Sequence, residues 1–288
     1  RKSPIILELG VDRGQSTRVF LHAIDKKSSG HLFSVDIKDC SRVSKSDSWT
    51  FIQKDSIDIK GVLKEAPILE KGIDIIFTYS NSSIEANNLK NRLNMIRSKS
   101  CYSIKVNFGR NTNFNNLIKK ALKIYGRIDY LVNNASKFYP TKIGEVSDKL
   151  WMDIIDTNIK APLFLSKALH TELKKRKGSI INIIDIHVEP PLKDHIIYNV
   201  SKAGLLALTR SLAKDLAPHI RVNGVSPGAI MWPENETSKK KKEDILSKIP
   251  MKKTGTPDDI AKTVYFLLEN NYITGQNINV DGGRRLNM

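Results

Sequence analysis

The segment NIIDIHVEPPLKDHIIYNVSKAGLLALTRSLA, residues 182–213, passes from an apolar run through a polar loop into a run with helical spacing. Asp185 stands where the apolar run ends, and Tyr198 follows it by thirteen residues, near the start of the helical run. Lys202 comes four residues later, on the same helix face as Tyr198. A strand end and the following helix start both lie at the carboxyl edge of a parallel sheet, where ligands of such folds bind. The segment therefore predicts that a carboxylate, a phenol and an ammonium meet in one pocket.

Strand-like and helix-like segments alternate along the chain from residue 73 onward, which is typical of a parallel sheet with crossover helices. The predicted strands are IDIIFTY, YSIKVNF, IDYLVNNAS, GSIINIID, IRVNGVSPG and QNINVDGG. The predicted helices are SIEANNLKNRLNMIRSK, NFNNLIKKALKIYG, SDKLWMDIIDTNIKAPLFLSKALHTELKKRK, IYNVSKAGLLALTRSLAKDLA and PDDIAKTVYFLLE, and Ser147 is the expected cap of the longest one. We therefore expect an α/β fold, with a doubly wound, mainly parallel Rossmann-like sheet and helices on both faces.

The composition argues against a nucleic-acid-binding, disulfide-linked, metal-binding or membrane-spanning protein. The formal net charge is +17, but the lysines are scattered, so we expect no nucleic acid partner. The one dense run, Lys239–Lys242, is interpreted as a solvated loop or helix face, with a phosphate- or glutamate-binding role as the alternative. Cys40 and Cys101 form no CxxC pair, so we expect no disulfide and no metal site. Without a signal-peptide pattern or an apolar run of about 18 residues, we expect a cytoplasmic enzyme that does not enter a membrane.

The Tyr198/Lys202 pair can be interpreted as a proton donor and a cation that tunes its pKa. A phenol with a pKa near ~10 is a poor acid at neutral pH, and a nearby ammonium lowers that pKa. We expect Lys202 to tune Tyr198 in this way, so that the tyrosine donates a proton to a substrate. The same spacing occurs by chance in many structural helices. The surrounding strand, loop and turn are what favour the catalytic interpretation.

Five segments carry a shared pattern: NNAS at 133–136, DTN ending at Asn158, the Tyr198/Lys202 pair, SPGAI at 226–230 and TGQNINVDGG near the C-terminus. Together they resemble the short-chain dehydrogenase/reductase family over about residues 73–288. The resemblance implies that Tyr198 is the proton donor, that Lys202 holds the nicotinamide ribose and that Asn158 supports a water relay to Lys202. It further implies a homo-oligomer, a tetramer, whose faces are the helices that bear Asn158 and Tyr198.

The resemblance also implies where a nicotinamide cofactor binds. The NNAS turn would lie along the cofactor, and the stretch after the Pro-Gly pair would contact the nicotinamide amide. No acidic residue stands near the expected ribose 2′-phosphate, which favours NADPH over NADH because a carboxylate repels the phosphate. The expected cofactor-binding residues are Ser80, Asn81, Ser82, Asn107, Asn133, Asn134, Ala135, Ser136, Tyr198, Lys202, Pro227, Gly228, Ala229 and Ile230.

Asp185 departs from the usual family pattern, which has serine at that position. A carboxylate there resembles the pteridine reductases and the related dihydromonapterin reductases. A pteridine C=N needs a proton on nitrogen, and a carboxyl group replenished through Tyr198 can relay it. The loop NNASKFYPT resembles that of the pteridine reductases, which implies that Phe138 stacks on a pterin and that Trp232 borders the pocket. A core aromatic is the alternative interpretation of Phe138. A carbonyl or 3-oxoacyl-type reductase remains the alternative function.

Residues 1–72 fit this family poorly. The usual TGxxxRxG turn is missing, and ELGVDRGQS with Gly10, followed by Asp36 and Asp55, resembles the front of a class I S-adenosylmethionine-dependent methyltransferase. We therefore divide the chain into a methyltransferase-like segment, 1–72, and a reductase domain, 73–288, that lacks its own first strand and glycine-rich turn. PIILELG is a candidate for the vacant strand position. An S-adenosylmethionine-binding protein and an inactive chimera are the further alternatives.

Overall fold

The computed structural model describes residues 74–230, residue 232 and residues 238–288, together with the backbone of Ile5–Leu9. Its strands are β1 Ile5–Leu9, β2 Asp74–Tyr79, β3 Cys101–Lys105, β4 Tyr130–Asn133, β5 Ser179–Ile183, β6 Arg221–Pro227 and β7 Asn277–Val280. Its α-helices are α1 Ser83–Ile96, α2 Phe114–Tyr125, α3 Asp148–Ile155, α4 Ala161–Arg176, α5 Ile196–Leu216, α6 Lys239–Ser247 and α7 Pro257–Glu269. Every segment predicted from residue 73 onward as a strand or helix is present.

All pairings between the described strands are parallel, and the strands lie in the order β3-β2-β1-β4-β5-β6-β7. The expected doubly wound α/β fold is therefore confirmed. The strand order reverses on either side of β1, so the crevice at the carboxyl ends of β1 and β4 is the topological switch point.

β1 lies at the centre of the sheet. Ile5 pairs with Asp74 of β2 on one side, and Ile6 pairs with Tyr130 of β4 on the other. Ile5–Leu9, the part of PIILELG that the structure describes, thus occupies the central strand position for which this segment was the candidate. The other residues on which the expected methyltransferase-like segment depends, Gly10, Asp36 and Asp55, lie outside the described residues.

The two faces of the sheet are covered by separate apolar clusters, as the alternation of side chains along a strand requires. In β2, Ile75 and Phe77 pack on the face covered by α1 and α7, whereas Ile76 packs on the face covered by α2 and α4. β5 is buried at all five positions because helices cover both of its faces. These clusters hold the carboxyl ends of β4 and β5 side by side.

The long predicted helix differs from the expectation. It consists of α3, a five-residue π-helical turn at Asp156–Lys160, and α4. Ser147 caps α3 as predicted, since its hydroxyl accepts a hydrogen bond from the backbone N–H of Leu150. The wider π turn carries Asn158, and such turns are frequent at functional sites.

The lysine run forms the first turn of α6. Lys239 is largely exposed, and its ammonium lies 3.9 Å from the Glu243 carboxylate, so the run lies on a solvated helix face. Cys101 is a buried free thiol. Over the described ranges, none of the helices has the length and apolarity needed to span a membrane. Within the same ranges no cluster of three or more His, Cys, Asp or Glu side chains is suited to a metal ion.

Loss of β1 should destabilise the whole sheet. A chain that starts at residue 73 should lose cooperative thermal unfolding, because removal of β1 leaves β2 and β4 with unpaired backbone groups in the middle of the sheet. In the full chain, Leu7→Pro should lower the melting temperature strongly, since proline removes a backbone donor from a central strand. Circular dichroism during heating measures both effects. A truncated chain that unfolds as cooperatively as the full chain would contradict the assignment of β1.

Candidate active site

Asp185 lies two residues beyond the end of β5, where it caps a short 3₁₀ turn, Ile186–Val188. Its Oδ1 accepts a hydrogen bond of 2.8 Å from the backbone N–H of His187. Its Oδ2 accepts one of 2.5 Å from the hydroxyl of Tyr198. The structure therefore brings the carboxylate and the phenol into direct contact, and each carboxylate oxygen has a defined donor.

Tyr198 occupies the third position of α5 and is 4% exposed. Burial raises the pKa of Tyr198 well above its usual value, and the charge of Asp185 and their hydrogen bond raise it further. The expectation that Lys202 lowers this pKa is therefore wrong for the structure as described. The Lys202 Nζ lies 5.7 Å from the tyrosine ring centroid and donates to the carbonyl of Ile183 at 3.0 Å.

The pKa of Lys202 is also shifted. Burial lowers the pKa of Lys202 from 10.5 to about 8, and the carboxylate of Asp185 partly opposes this effect. The ammonium is held one turn below the tyrosine, as the four-residue spacing predicts. Asp185, Tyr198 and Lys202 thus form one electrostatically coupled group at the carboxyl edge of the sheet.

Phe138 is not a core aromatic, because it is 53% exposed. Its ring stacks on His195 with centroids 4.9 Å apart and meets the ring of Tyr198 edge to face at 4.7 Å. Phe138 and His195 therefore form an open aromatic surface beside the tyrosine. Sequence reasoning missed His195, whose only signal was its place just before α5.

The loop that carries Phe138 is fastened to α3 by one carboxylate. Asp153 accepts from the Lys137 ammonium at 2.5 Å and from the Tyr139 hydroxyl at 2.8 Å. These two residues flank Phe138 on either side. The position of the exposed ring is therefore set by the loop on both of its sides.

Asn158, in the π turn, connects this loop to α5. Its Oδ1 accepts from the backbone N–H of Lys137 at 2.7 Å, and its Nδ2 donates to the Ser201 hydroxyl at 2.9 Å. Asn158 is completely buried. Its described contacts go to the loop and to Ser201 rather than to Lys202, so its relay role stays a prediction.

The NNAS turn lies at the switch point. Asn133 donates to Asn182 at 2.7 Å, which joins the ends of β4 and β5, while Asn134 is also buried. Among the described residues, the Oδ1 of Asn133 and the Oγ of Ser136 are buried without a hydrogen-bond partner. Ala135 packs against the cluster on the α2 and α4 face. The turn thus presents two unused polar atoms where a ligand of this fold would lie.

The remaining cofactor candidates after β2 and β3 occupy the same sheet edge. Ser80 donates to the side chain of Asn81 at 3.4 Å, and Ser82 precedes α1 without a side-chain capping bond. The carbonyl of Asn107 accepts from Thr112. These residues follow the two strands that lie on the far side of β1 from Asp185.

The candidate cofactor-binding residues after β6 are held in place by backbone hydrogen bonds and by packing. Gly228 follows Pro227 and donates its N–H to the carbonyl of Val280 at 2.9 Å, and a Cβ on Gly228 would lie 2.7 Å from the Cα of Asp281. The carbonyl of Ala229 accepts from Gly255. Ile230 packs against the core cluster on the α1 and α7 face.

Trp232 has its described contact with α6, because the Lys242 ammonium lies 5.8 Å from its ring centroid. The expectation that it borders the substrate pocket therefore stays a prediction. His187 and Arg284 are two further residues near Asp185 that sequence reasoning missed. Burial lowers the pKa of His187, and the nearby charge of Asp185 opposes that shift.

The known proteins that this chain resembles are described as reductases or dehydrogenase/reductases. A sequence profile described as enoyl-(acyl carrier protein) reductase matches residues 67–285. A 3-oxoacyl-[acyl-carrier-protein] reductase from Staphylococcus epidermidis is 32% identical over 221 residues, which cover 75% of this chain and 90% of the relative. The human dehydrogenase/reductase SDR family member 4 is 37% identical over 180 residues, which cover 58% of this chain and 63% of the relative.

Among solved structures, an apo SCOR enzyme from Clostridium thermocellum is similar. The TM-score is 0.67 with 31% sequence identity, and the match covers 77% of this chain and 86% of that one. The profile match includes every residue from β2 to the end of β7. Residues 1–66 lie before the profile match.

The lowered pKa of Lys202 should make the stability of the fold depend on pH. The folded chain releases the Lys202 proton at about pH 8, whereas the unfolded chain keeps it to about 10.5. Between these values the unfolded state binds more protons, so the free energy of unfolding should rise with pH. Relative to Lys202→Met, the wild type should gain about 2 kcal/mol between about pH 7 and about pH 9.5. Urea unfolding of both proteins measures this difference, and parallel pH profiles would contradict the lowered pKa.

Proposed function

Because this chain belongs to the short-chain dehydrogenase/reductase family, we propose that it catalyses the NADPH-dependent reduction of a pteridine C=N bond. The observation that carries the proposal is the hydrogen bond of 2.5 Å between the Tyr198 hydroxyl and the Asp185 carboxylate. Oxidoreductase chemistry follows from the family. The choice of a pteridine follows from the carboxylate.

Asp185 sits where a proton donor is needed for a nitrogen acceptor. A carbonyl oxygen is well served by a neutral hydroxyl donor, but the tyrosine hydroxyl here points at Asp185. The raised pKa of Tyr198 keeps its proton on the phenol oxygen until a stronger base withdraws it. When a substrate nitrogen becomes basic during reduction, the Tyr198 proton passes along the hydrogen bond to Asp185 and from Asp185 to that nitrogen. Tyr198 is left as the phenolate, near the Lys202 ammonium.

The residues at the switch point fit NADPH, which when bound supplies the hydride. The unused Oδ1 of Asn133 and Oγ of Ser136 offer polar contacts at the carboxyl end of β4. Lys202, whose ammonium is held beneath Tyr198, would bind ribose hydroxyls. The Ser80–Ser82 stretch after β2 brings hydroxyl and amide groups but no carboxylate to the place expected for a 2′-phosphate.

The aromatic surface supports a flat substrate. Phe138 is half exposed and stacked on His195, so a heteroaromatic ring can lie against it without displacing a packed side chain. Tyr198 touches the edge of the same ring, so a ligand on Phe138 lies close to the proton donors. Lys137, Tyr139 and Asp153 hold the loop in this position.

The second candidate is a 3-oxoacyl-type carbonyl reductase. The names of the Staphylococcus epidermidis and Thermotoga maritima relatives favour it directly, and they favour it more than they favour a pteridine. Asp185 is the specific feature against it, because a carboxylate next to a developing alkoxide is repulsive. Two further alternatives remain, an S-adenosylmethionine-binding protein and an inactive chimera, since residues 10–73 lie outside the described structure.

We also propose that the chain forms a homo-oligomer, namely a tetramer. The helices that carry Asn158 and Tyr198 expose apolar side chains that a single chain leaves in water. Trp151 of α3 is 42% exposed, Phe164 of α4 is 40% exposed and Val200 of α5 is 46% exposed. A second copy of the chain would cover this surface.

The proposed function predicts the behaviour of two variants. Wild-type protein should oxidise NADPH with dihydrobiopterin or dihydromonapterin and should be nearly inert with simple ketones. Asp185→Ser should abolish pterin reduction, because the relay group is gone. Tyr198→Phe should lower the rate about 10²–10⁴-fold because it removes the proton source. Loss of NADPH absorbance measures each rate.

Asp215→Asn, which changes an exposed carboxylate at the other end of the same helix, is the matched control and should keep the wild-type rate. A protein that reduces 3-oxoacyl thioesters and ignores pterins would replace the first candidate with the second. Thermal stabilisation by S-adenosylmethionine but not by NADPH would refute both reductase candidates.

The oligomer proposal predicts a change in molar mass. Trp151→Glu and Val200→Glu should shift the wild-type oligomer towards smaller species, because each places a charge in the covered apolar surface. Light scattering after size-exclusion chromatography measures this. Met95→Glu, on the distant helix α1, is the control and should not change the mass. A wild-type protein that is monomeric at micromolar concentration would contradict the proposal.

A further inference from the structure

The first turn of α5 has no capping side chain of its own. The helix begins at Ile196, and the side chain of His195, the residue before it, makes no capping hydrogen bond within the described part of the chain. The backbone N–H groups in the first turn of a helix need acceptors from outside the helix. Tyr198, the proposed proton source, is the third residue of α5, so its position depends on how these N–H groups are satisfied.

Thr141, from the loop that carries Phe138, supplies one such acceptor. Its Oγ1 accepts a buried hydrogen bond of 3.2 Å from the backbone N–H of Ile197. Thr141 is completely buried, whereas the residues at 142–149 that follow it are all exposed. The loop therefore turns inward at Thr141 and caps the catalytic helix from a different segment of the chain.

Thr141 also binds the segment that leads into α5. Its backbone N–H donates to the carbonyl of Asp194 at 2.6 Å, and it forms a parallel bridge with His195. Asp194 has a φ of 58°, in the left-handed region that residues other than glycine rarely adopt. Such a conformation persists only where surrounding contacts determine it. The hydrogen bond from Thr141 is one of these contacts.

The segment before α5 is fixed on the helix side as well. The side chain of Asn199 accepts from the backbone N–H of Leu192 at 3.2 Å and donates to the carbonyl of Leu192 at 2.7 Å. The backbone N–H of Asn199 donates to the carbonyl of His195 at 2.9 Å. Residues 192–195 and the first turn of α5 thus form one unit, and Thr141 joins this unit to the Phe138 loop.

We propose that Thr141 is a positioning residue that fixes the spacing between the aromatic surface of Phe138 and the proton donor Tyr198. Phe138 precedes Thr141 by three residues, and its ring centroid lies 4.7 Å from that of Tyr198. A flat substrate on Phe138 reaches the proton donor only while this spacing is kept. The inference rests on the proposed function, because it concerns the same site.

The hydroxyl group of Thr141 is what this role requires. Thr141→Val replaces the hydroxyl with a methyl group of similar size and leaves the N–H of Ile197 buried without an acceptor, which costs free energy. The first turn of α5 can regain an acceptor only by moving, and this movement would shift Tyr198 relative to Asp185 and Phe138. Thr141→Ser keeps the acceptor and should keep the spacing.

The kinetic test follows NADPH oxidation while the concentrations of dihydrobiopterin and NADPH are varied in turn. Thr141→Val and Thr141→Ala should lower kcat/KM for dihydrobiopterin about threefold to thirtyfold, because each loses one buried hydrogen bond at the proton donor. The KM for NADPH should stay within a factor of about two. Thr141→Ser should keep both constants within a factor of about two.

Ser100→Ala is the matched control for a loss of stability alone. Ser100 is completely buried, and its hydroxyl donates to the carbonyl of Arg97 at 2.6 Å. It directly precedes β3, so it lies at the amino edge of the sheet, opposite the candidate site. Ser100→Ala should lower the melting temperature, as Thr141→Val does, but should keep the wild-type kcat/KM.

Hydrogen exchange tests the cap without a substrate. Relative to the amide of Leu205 in the middle of α5, the amide of Ile197 should exchange about tenfold faster in Thr141→Val than in the wild type. In Thr141→Ser it should exchange at nearly the wild-type rate. Unchanged exchange in Thr141→Val would overturn the inference. Wild-type kcat/KM in both variants that lack the hydroxyl would overturn it too, and so would an equal loss in Thr141→Ser.

The outcomes for the wild type separate this inference from the proposed function. If the wild type reduces a 3-oxoacyl thioester but not dihydrobiopterin, the pteridine proposal falls, and kcat/KM of the Thr141 variants is compared with the thioester instead. If the wild type reduces neither compound, the proposed function falls, and the exchange rate of the Ile197 amide decides the inference.

Discussion

Backbone hydrogen bonding on both sides of Ile5–Leu9 is the constraint on which the rest of the structure depends. This strand joins β2 to β4, so the two halves of the sheet form one surface only through it. The part of the chain from residue 74 onward supplies the other six described strands. The segment that fills the central position precedes the residues matched by the family profile. It can do so because a parallel ladder requires matching backbone geometry and an apolar pattern rather than particular residues.

Once the strands are aligned, the site follows from where they end. β5 brings Asp185 to the sheet edge, and the first turn of α5 brings Tyr198 against it. Lys202, His187 and Arg284 add charged or titratable groups around this contact. Because these groups are partly or fully removed from water, their mutual effects are larger than at an exposed surface. Asp185 is the one carboxylate among these five residues.

The sequence made the fold and the central pair predictable because both depend on short-range rules. Alternating segments predicted the strands, and four-residue spacing predicted that Tyr198 and Lys202 share a helix face. The upward shift of the Tyr198 pKa was not predictable, because it depends on burial by elements that are distant in the sequence. The π turn at Asp156–Lys160 has no periodic signal of its own. Arg284 and His195 were missed because only the folded chain brings their segments to Asp185 and Phe138.

The fastening of the Phe138 loop has an entropic consequence. Lys137 and Tyr139 both bind Asp153, and Asn158 holds the backbone of Lys137 from the other side. An exposed aromatic ring on a free loop would lose conformational freedom at the moment a ligand arrives, which weakens binding. Here the loop is already ordered by these hydrogen bonds in the folded chain, so its conformational entropy is lost during folding rather than during binding. Association with a flat ligand should therefore require little loop rearrangement.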